Sequence, residues 1–565
     1  MITEELQQKI KEALSALGVE AREVLFEHPA ELSHGDFSTN IALVYAKELK
    51  VKPRELGEKI VEKIQDSRFK IQGIQEINVA GPGFINFHLT PGFFSGQVAV
   101  ILREGDSFGK NEKRKGQKIF FEYTQPNPFK EFHIGHLMNN TIGEAVSRAL
   151  EWSGATVKRA TYHGDVGLHV AKSMWGLRKL GTEDIDIELL GQAYAEGNRA
   201  YEEGGMAKTE ITDLNRKIYE KTDSAVNTLY ETGKRISLAY FEDLYKRLDS
   251  TFDFHFFESE AGEIGRKIVE EHIGTVFERS EGAVVYKGEK HGLHTRVFLN
   301  SEGLPTYEAK EIGLARLKDQ VFDSDSAITV TANEQNDFFK VVEKVIGEVF
   351  PRYDGKMRHL SHGTLRLPSG KMSSRMGTII SAESLIAQVK ELVQEKIRER
   401  EMTADEKEKL SEIVAIGAIK YSILRQSVGG DIIFDLEKSI SFEGDSGPYL
   451  QYSYVRARSV LKKAEYSSAK PSVDIKYPQE GKVGWVERLV YRFPEVVERA
   501  GTELEPHHIV TYLTELAGEF NGWYAHNKVI GSGTEEPYRL ALTQAFATVM
   551  KNGLSILGIK APEKM

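Results

Sequence analysis

The chain has 565 residues, too many for one ordinary domain, and its length points to about three or four. An apolar fraction of 40% and a charged fraction of 28% are those of a soluble globular protein, and no apolar run is long enough to span a bilayer. The lack of cysteine excludes disulfides, Cys-based zinc sites and a thiol nucleophile, and a net charge of -10 argues against a protein that coats nucleic acid by charge alone.

In chain order, Ile2, Leu6, Ile10 and Leu14 have helical spacing, and the acidic Glu4 and Glu5 do not fit a signal peptide, so a cytoplasmic protein is expected. Ile77 and Val79 alternate with Glu76 and Asn78 as in a strand; Gly81-Pro82-Gly83 turns the chain into a second strand at Phe84–Phe87. Residues 1–105 thus read as a small α+β domain, and Arg103 to Lys118, with Gly105, Gly109 and Gly116, as a linker. Lys118–Tyr123 reads as a buried strand stopped by Pro126 and Pro128. A helical pattern through Leu137, Ile142, Val146 and Leu150 follows, and then a strand over Val157–Tyr162. A strand–helix–strand crossover implies parallel strands. A further strand, Ala327–Thr331, ends at Asn333-Glu334-Gln335, and the charged helical stretch of about 180–280 reads as an insertion. From 381 to the end the pattern is almost wholly helical.

Two constellations carry chemistry. His133-Ile134-Gly135-His136 lies between a predicted strand and its helix, where free backbone N–H groups and the helix dipole favour phosphate. Two histidines one turn apart can donate to phosphate oxygens, and Gly135 leaves room for an adenine ring against the backbone. A bare His-x-x-His also arises as two surface histidines, but the strand–turn–helix context favours the phosphate reading. Well downstream, Lys371-Met372-Ser373-Ser374-Arg375 lies between Gly370 and Gly377; Lys371 is a point charge suited to a leaving pyrophosphate, and the serine hydroxyls can add donors.

In this order the two motifs resemble the two signatures of class I aminoacyl-tRNA synthetases. The resemblance implies a multidomain α/β protein whose Rossmann-like parallel-sheet catalytic domain, 112–380, binds ATP at the carboxyl ends of its strands through His133, Gly135, His136, Lys371, Met372, Ser373 and Ser374. Among these enzymes the chain is most similar to the arginyl-tRNA synthetases. A guanidinium calls for carboxylates, and Glu122, Asn127, Tyr307 and Gln335 match residues with which that family holds arginine, with Glu311 at a fifth such position. Glu311 departs, since the family usually has Asp there. Further departures are Glu131-Phe132 before the first signature, Met138 after it, Val166 in His163-Gly164-Asp165-Val166-Gly167, and Ser374 where many class I enzymes carry a second lysine.

Gly35–Asn40 and Gly81–Asn86 resemble that family's N-terminal tRNA-binding domain. Phe442–Tyr452 and the tail Gly553–Ile559 resemble its all-α anticodon-binding domain, here 441–565, joined through a helical region, 381–440. Tyr449, Tyr452 and Arg456 are candidate tRNA contacts, since aromatic rings stack on unpaired bases. The resemblance implies Mg-ATP as a substrate, L-arginine and tRNA(Arg) as partners, no zinc, no organic cofactor and no membrane, a monomer, and amino-acid activation that needs bound tRNA. A glutamate-specific relative would need basic residues where Glu122 and Glu311 stand. A non-catalytic RNA-binding paralogue would not need His133, His136 and Lys371, and a small-molecule adenylyltransferase would not need the flanking domains.

Overall fold

Apolar residues at helical spacing do open the chain as a helix, α1 (Ile2–Ala16), which buries Leu6, Ile10, Ala13 and Leu14. This computed structural model describes residues 2–65, 71–181, 184–366, 380–465, 477–478 and 482–565. After α1 come β1 (Phe37–Thr39), α2 (Ile41–Tyr45), α3 (Pro53–Gln65), β2 (Ile74–Ala80), β3 (Phe84–Leu89) and α4 (Pro91–Glu104). The strands form an antiparallel sheet in the order β1-β3-β2, and its apolar side joins α1 and α3 in one core around Phe37, Ile85, Phe87 and Phe94. Tyr491 packs into the same core, and buried Asp36 accepts from Arg488 Nε at 2.7 Å and from Leu89 N at 2.8 Å.

Contacts divide the chain into two compact units. One comprises 1–108, 457–493 and 519–549; the other comprises 109–456, 494–518 and 550–565. Both units draw on the helical C-terminal part of the chain.

The second unit is built on β4 (Lys118–Glu122), whose residues after Lys118 are all buried, as expected of a strand covered on both faces. It leads through α5 (Ile134–Trp152) to β5 (Thr156–His163). Then come α6 (Leu168–Leu180), α7 (Ile187–Glu203), α8 (Gly205–Glu220) and α9 (Ser224–Arg247), which share a core of Phe129, Val170, Met174, Leu190, Ile211 and Val226. The helical insertion ends earlier than the expected 280. Phe254–Phe257 is a strand, β6, and α10 (Glu258–Glu271) follows it. Four residues are too few to show a period of two between charged helices. A small antiparallel sheet was also illegible: β7 (Glu278–Ser280), β8 (Ala283–Tyr286) and β9 (Arg296–Leu299).

Next come α11 (Tyr307–Val321), β10 (Ser326–Ala332), α12 (Asn336–Val349), β11 (Met357–His362) and β12 (Leu365–Arg366). The main sheet has five parallel strands in the order β11-β10-β4-β5-β6. Its first three strands run outward one way from β4 and its last two the other way. The order reverses between β4 and β10, so the carboxyl ends of these two strands flank the crevice where such sheets bind ligands. The rest of the chain is α13 (Ala382–Lys396), α14 (Ala404–Leu424), a short β13 (Ile432–Ile433) paired with β12, then α15 (Leu436–Ser439), α16 (Gly447–Lys463), α17 (Trp485–Val490), α18 (Phe493–Glu503), α19 (His507–His526) and α20 (Glu536–Ile556). Among the described residues no helix is long and apolar enough to cross a membrane.

Candidate active site

The loop from β4 to α5 is held in an uncommon backbone. Thr124, Gln125 and Phe129 all have positive φ, at 78°, 50° and 66°. Such conformations persist only when the surroundings hold them, and α5 does so. Asn139 Oδ1 accepts from Thr124 N at 2.5 Å while its Nδ2 donates to Val330 O at 2.7 Å, and Asn140 Nδ2 donates to Thr124 Oγ1 at 3.0 Å. The side chain of Asn139 thus ties the end of β4 to β10 across the crevice.

His133 caps α5. Its Nδ1 accepts from Gly135 N at 3.0 Å and His136 N at 3.3 Å, and His136 Nδ1 accepts from His133 N at 3.3 Å. Ile134 N donates to Ile380 O and Leu137 N to His133 O. The free N–H groups expected at this helix start are therefore already used. What remains is on the rings. Because both Nδ1 atoms accept, both histidines carry their proton on Nε2, and those N–H groups are the available donors. Burial, reinforced by Lys130, pushes His133 down to about 4 and His136 well below its usual range, so both are neutral at pH 7. The rings stack with centroids 3.5 Å apart. Gly135 serves this cap: a Cβ there would lie 2.9 Å from the His133 ring. The imidazole itself therefore needs the missing side chain.

Glu122, 1% exposed, ends β4 between Thr329 of β10 and Ala160 of β5. Its Oε1 accepts from Gln125 Nε2, and its Oε2 pairs with Lys318 Nζ. Asn127 lies half-buried in the strained loop, against Gly164. Tyr307 starts α11 and is 64% exposed, with Lys310 Nζ 5.0 Å from its ring centre. Gln335 is exposed just past the end of β10. Glu311, one turn into α11 from Tyr307, makes no hydrogen bond or ion pair among the described residues. Burial, with Glu122, Glu258 and Glu308 nearby and Lys318 opposing, raises its carboxyl to about 8. The Tyr162 hydroxyl on β5 is buried in the same acidic surroundings, also without a partner among the described residues. The crevice therefore holds a carboxyl group and a phenol, both short of a donor or cation.

Several neighbours were missed in the sequence. Lys310 Nζ pairs with Glu258 at 2.6 Å, both nearly buried. This pairing requires α10 and α11 to touch backbone to backbone: a Cβ on Gly265 would strike Ala309 O, and one on Gly313 would strike Ala261 O. Asp165, fully buried, accepts from Tyr230 OH, Lys234 Nζ, Ser259 N and Ser259 Oγ at 2.7–2.9 Å, which fixes the start of α10. Lys130, three residues before His133, sits over the Tyr194 ring at 4.3 Å and is lowered by burial to about 8. Its closeness to the first signature was the one available signal.

Lys371, Met372, Ser373 and Ser374 lie outside the described residues. The segment after them returns to the first signature: Ala382 N donates to Phe132 O at 2.8 Å, and Ser381 bridges His133. Farther along, Tyr449 and Tyr452 are half-buried on α16, and Arg456 lies over the Tyr452 ring at 4.7 Å and donates to its hydroxyl. One face of Tyr452 is thus already covered by its own chain. A cavity of about 510 Å³ adjoins the crevice, lined by Tyr219, Tyr230, Lys234, Glu258, Ser259 and Pro305 among others.

Comparison with known proteins agrees along the whole chain. The family described as tRNA synthetases class I (R), catalytic domain, matches residues 97–436, the DALR anticodon binding domain matches 450–565, and the arginyl tRNA synthetase N-terminal domain matches 4–89. An arginine–tRNA ligase from Streptococcus suis is 30% identical over 574 residues, covering 99% of each chain. The arginyl-tRNA synthetase structures of Plasmodium falciparum and Thermus thermophilus share the fold, with TM-scores of 0.81 and 0.74 at 20% and 23% identity. Each covers 100% of this chain, and 99% and 100% of their own chains respectively.

Proposed function

Since the chain belongs to the class I arginyl-tRNA synthetases, we propose that the crevice between β4 and β10 activates L-arginine with Mg-ATP and passes it to tRNA(Arg). In the first step an arginine carboxylate oxygen attacks the α-phosphorus, the bond to the β-phosphate oxygen breaks, and pyrophosphate leaves. In the second the 2′-hydroxyl of the terminal adenosine attacks the carbonyl carbon and AMP leaves. Neither step needs covalent chemistry from the protein, whose part is placement and charge stabilisation.

The observation that carries this reading is Glu311, a half-buried carboxyl group among other carboxylates with no ion pair among the described residues, near the buried hydroxyl of Tyr162. In such surroundings a carboxyl keeps its proton until a cation arrives, and a guanidinium supplies both the charge and the donors that this site lacks. Glu122, Asn127, Tyr307, Glu311 and Gln335 line the arginine site. The Nε2–H groups of His133 and His136 face the triphosphate as neutral donors, with Gly135 between them. Lys371, with Met372, Ser373 and Ser374, completes the ATP site, and Lys130 adds positive charge beside the first signature. Residues 1–105 and 441–565 bind tRNA, with Tyr449 and Arg456 at the surface of the latter. The same reading makes the protein a cytoplasmic monomer.

The test is ATP–pyrophosphate exchange with each of the twenty amino acids, with and without tRNA. Exchange that depends on arginine and on tRNA is expected. Exchange with another amino acid, or none with arginine and tRNA present, would refute the reading.

A further inference from the structure

Pro126 lies inside the strained loop, just ahead of Asn127, and because it has no N–H its carbonyl is its only polar group. That oxygen accepts from His163 Nδ1 at 3.0 Å. His163 ends β5, is fully buried, and lies among the rings of Phe241 on α9 and Phe257 on β6, with centroids 5.9 and 5.4 Å away. Its Nε2 faces His255 Nδ1 on β6 at 3.3 Å, and His255 Nε2 faces half-exposed Glu242 on α9 at 3.4 Å. A chain of contacts thus runs from the loop to the protein surface. A carbonyl oxygen only accepts, so it dictates the tautomer of the ring beside it. His163 must carry a proton on Nδ1, and its Nε2 then accepts from His255 Nδ1–H. Burial pushes His163 down to about 4, so at pH 7 the ring is neutral and has that one proton only. Asp165 and Lys234, the charged groups that act on it, are paired with each other at 2.7 Å. The next residue completes the cradle. A Cβ on Gly164 would lie 2.4 Å from Asn127 Oδ1, so the end of β5 meets the loop with a donor for Pro126 and an open space for Asn127.

Resting on the arginine reading, we propose that His163 is a positioning residue of the amino-acid site: its Nδ1–H holds the Pro126 carbonyl and so sets the backbone from which Asn127 presents its amide, while His255 occupies the other ring nitrogen. The bond acts where the backbone most needs it. Gln125 and Phe129, on either side, have positive φ, which side-chain-bearing residues keep only under restraint. At one end α5 restrains the loop, through Asn139 on Thr124 N and Asn140 on Thr124 Oγ1. At the other, Phe129 N donates to Ser237 Oγ of α9 at 2.9 Å. His163 holds the stretch between these anchors. It acts through the loop rather than by contact with arginine, and its stacked neighbours Phe241 and Phe257 keep the ring from turning away from Pro126.

Three substitutions in the full-length enzyme separate this hydrogen bond from mere packing. His163→Leu keeps apolar bulk beside Phe241 and Phe257 but removes the donor. His163→Asn gives up the ring yet puts an amide N–H where Nδ1 stood, and His163→Gln carries the amide one methylene farther, to where Nε2 stood. For each, Tm is measured together with the arginine KM and kcat in tRNA-dependent pyrophosphate exchange. The leucine and glutamine variants are expected to raise the KM at least about fivefold with kcat within about threefold of native, because a bond that orders a binding group is lost. The asparagine variant is expected to keep a KM within about twofold of native, although the cavity it leaves gives it a lower Tm than the leucine variant. Packing alone predicts the opposite, a KM that rises as Tm falls. A KM that rises as much for asparagine as for leucine, or a native KM in all three, overturns the proposal. If the leucine variant does not fold, the two amides still decide, and equal KM values for asparagine and glutamine overturn it. Failure of the parent reading looks different, because the native enzyme would then show no arginine-dependent exchange at all.

Discussion

Replacing Glu311 with glutamine should remove most of the pH dependence of the arginine KM. In the arginine-free pocket burial and neighbouring carboxylates raise Glu311 to about 8, against an ordinary 4.5. A guanidinium binds the carboxylate, so at pH 7 arginine must first displace a proton from a site that is only about one-tenth ionised. The apparent KM scales as one plus ten to the power of pKa minus pH. It should therefore fall about tenfold between pH 7 and pH 9 and level off above. The glutamine variant has no such proton to lose. Its KM should follow only the titrations that both proteins share, namely those of the substrate amine and of Lys130, itself at about 8. Near pH 9, where native Glu311 is ionised, the variant KM should be at least about tenfold higher, since a charge-assisted hydrogen bond contributes about 1.5–3 kcal/mol.

Steady-state exchange kinetics at saturating ATP and tRNA from pH 7 to 9, run in parallel on both proteins, give the comparison. A native KM that is flat across this range, or two superimposable profiles, would refute the assignment of Glu311. Stability offers a second check with a worked sign. The folded state holds a proton on Glu311 from about pH 4.5 to 8 that the unfolded chain has lost, so native stability falls as pH rises through that window. The glutamine variant lacks this loss. Its Tm should exceed the native value at pH 8 and converge with it near pH 4.5.

Other outcomes follow from the same geometry. Lys371→Ala should slow single-turnover adenylate formation by about a hundredfold, roughly 3 kcal/mol, with arginine binding little changed, because the charge meets phosphate mainly in the transition state. An unchanged activation rate would remove Lys371 from the mechanism. Asn139→Ala frees Thr124 N and Val330 O, both in the buried crevice wall. It should cost about 2–4 kcal/mol in urea unfolding and raise the arginine KM as the strained loop relaxes; an unaltered KM would mean that the loop holds its shape unaided. Arg488→Leu leaves Asp36 buried with the Leu89 amide but without the guanidinium that neutralises it. A loss of about 3–5 kcal/mol is expected, measured as a lower denaturation midpoint, and a midpoint within error of native would show the pair to be idle.

Much of the catalytic architecture was legible because it is local. A strand covered on both faces must be a nearly continuous apolar run, as in Ile119–Phe121, and a helix with one buried side must repeat near 3.6, as in α5. The His133–His136 signature, Glu122 at a strand end, and Tyr307 and Glu311 one turn apart could be placed from such patterns and from family resemblance. Tertiary structure alone decided how those groups are paired. Lys318 meets Glu122 and Lys310 meets Glu258 only because α10 and α11 are stacked against β4 and β5, and no spacing along the chain encodes that meeting. The tautomers of His133 and His136 depend on which amides the fold leaves for their Nδ1 atoms, and these proved to be those of the first turn of α5. Four-residue β6 is a strand because β5 presents it with an open edge. Sequence determines which groups are present and what local backbone carries them; the charge state and free valence of each group are set by its neighbours in space, because burial and pairing energies depend on distance and exposure rather than on order along the chain.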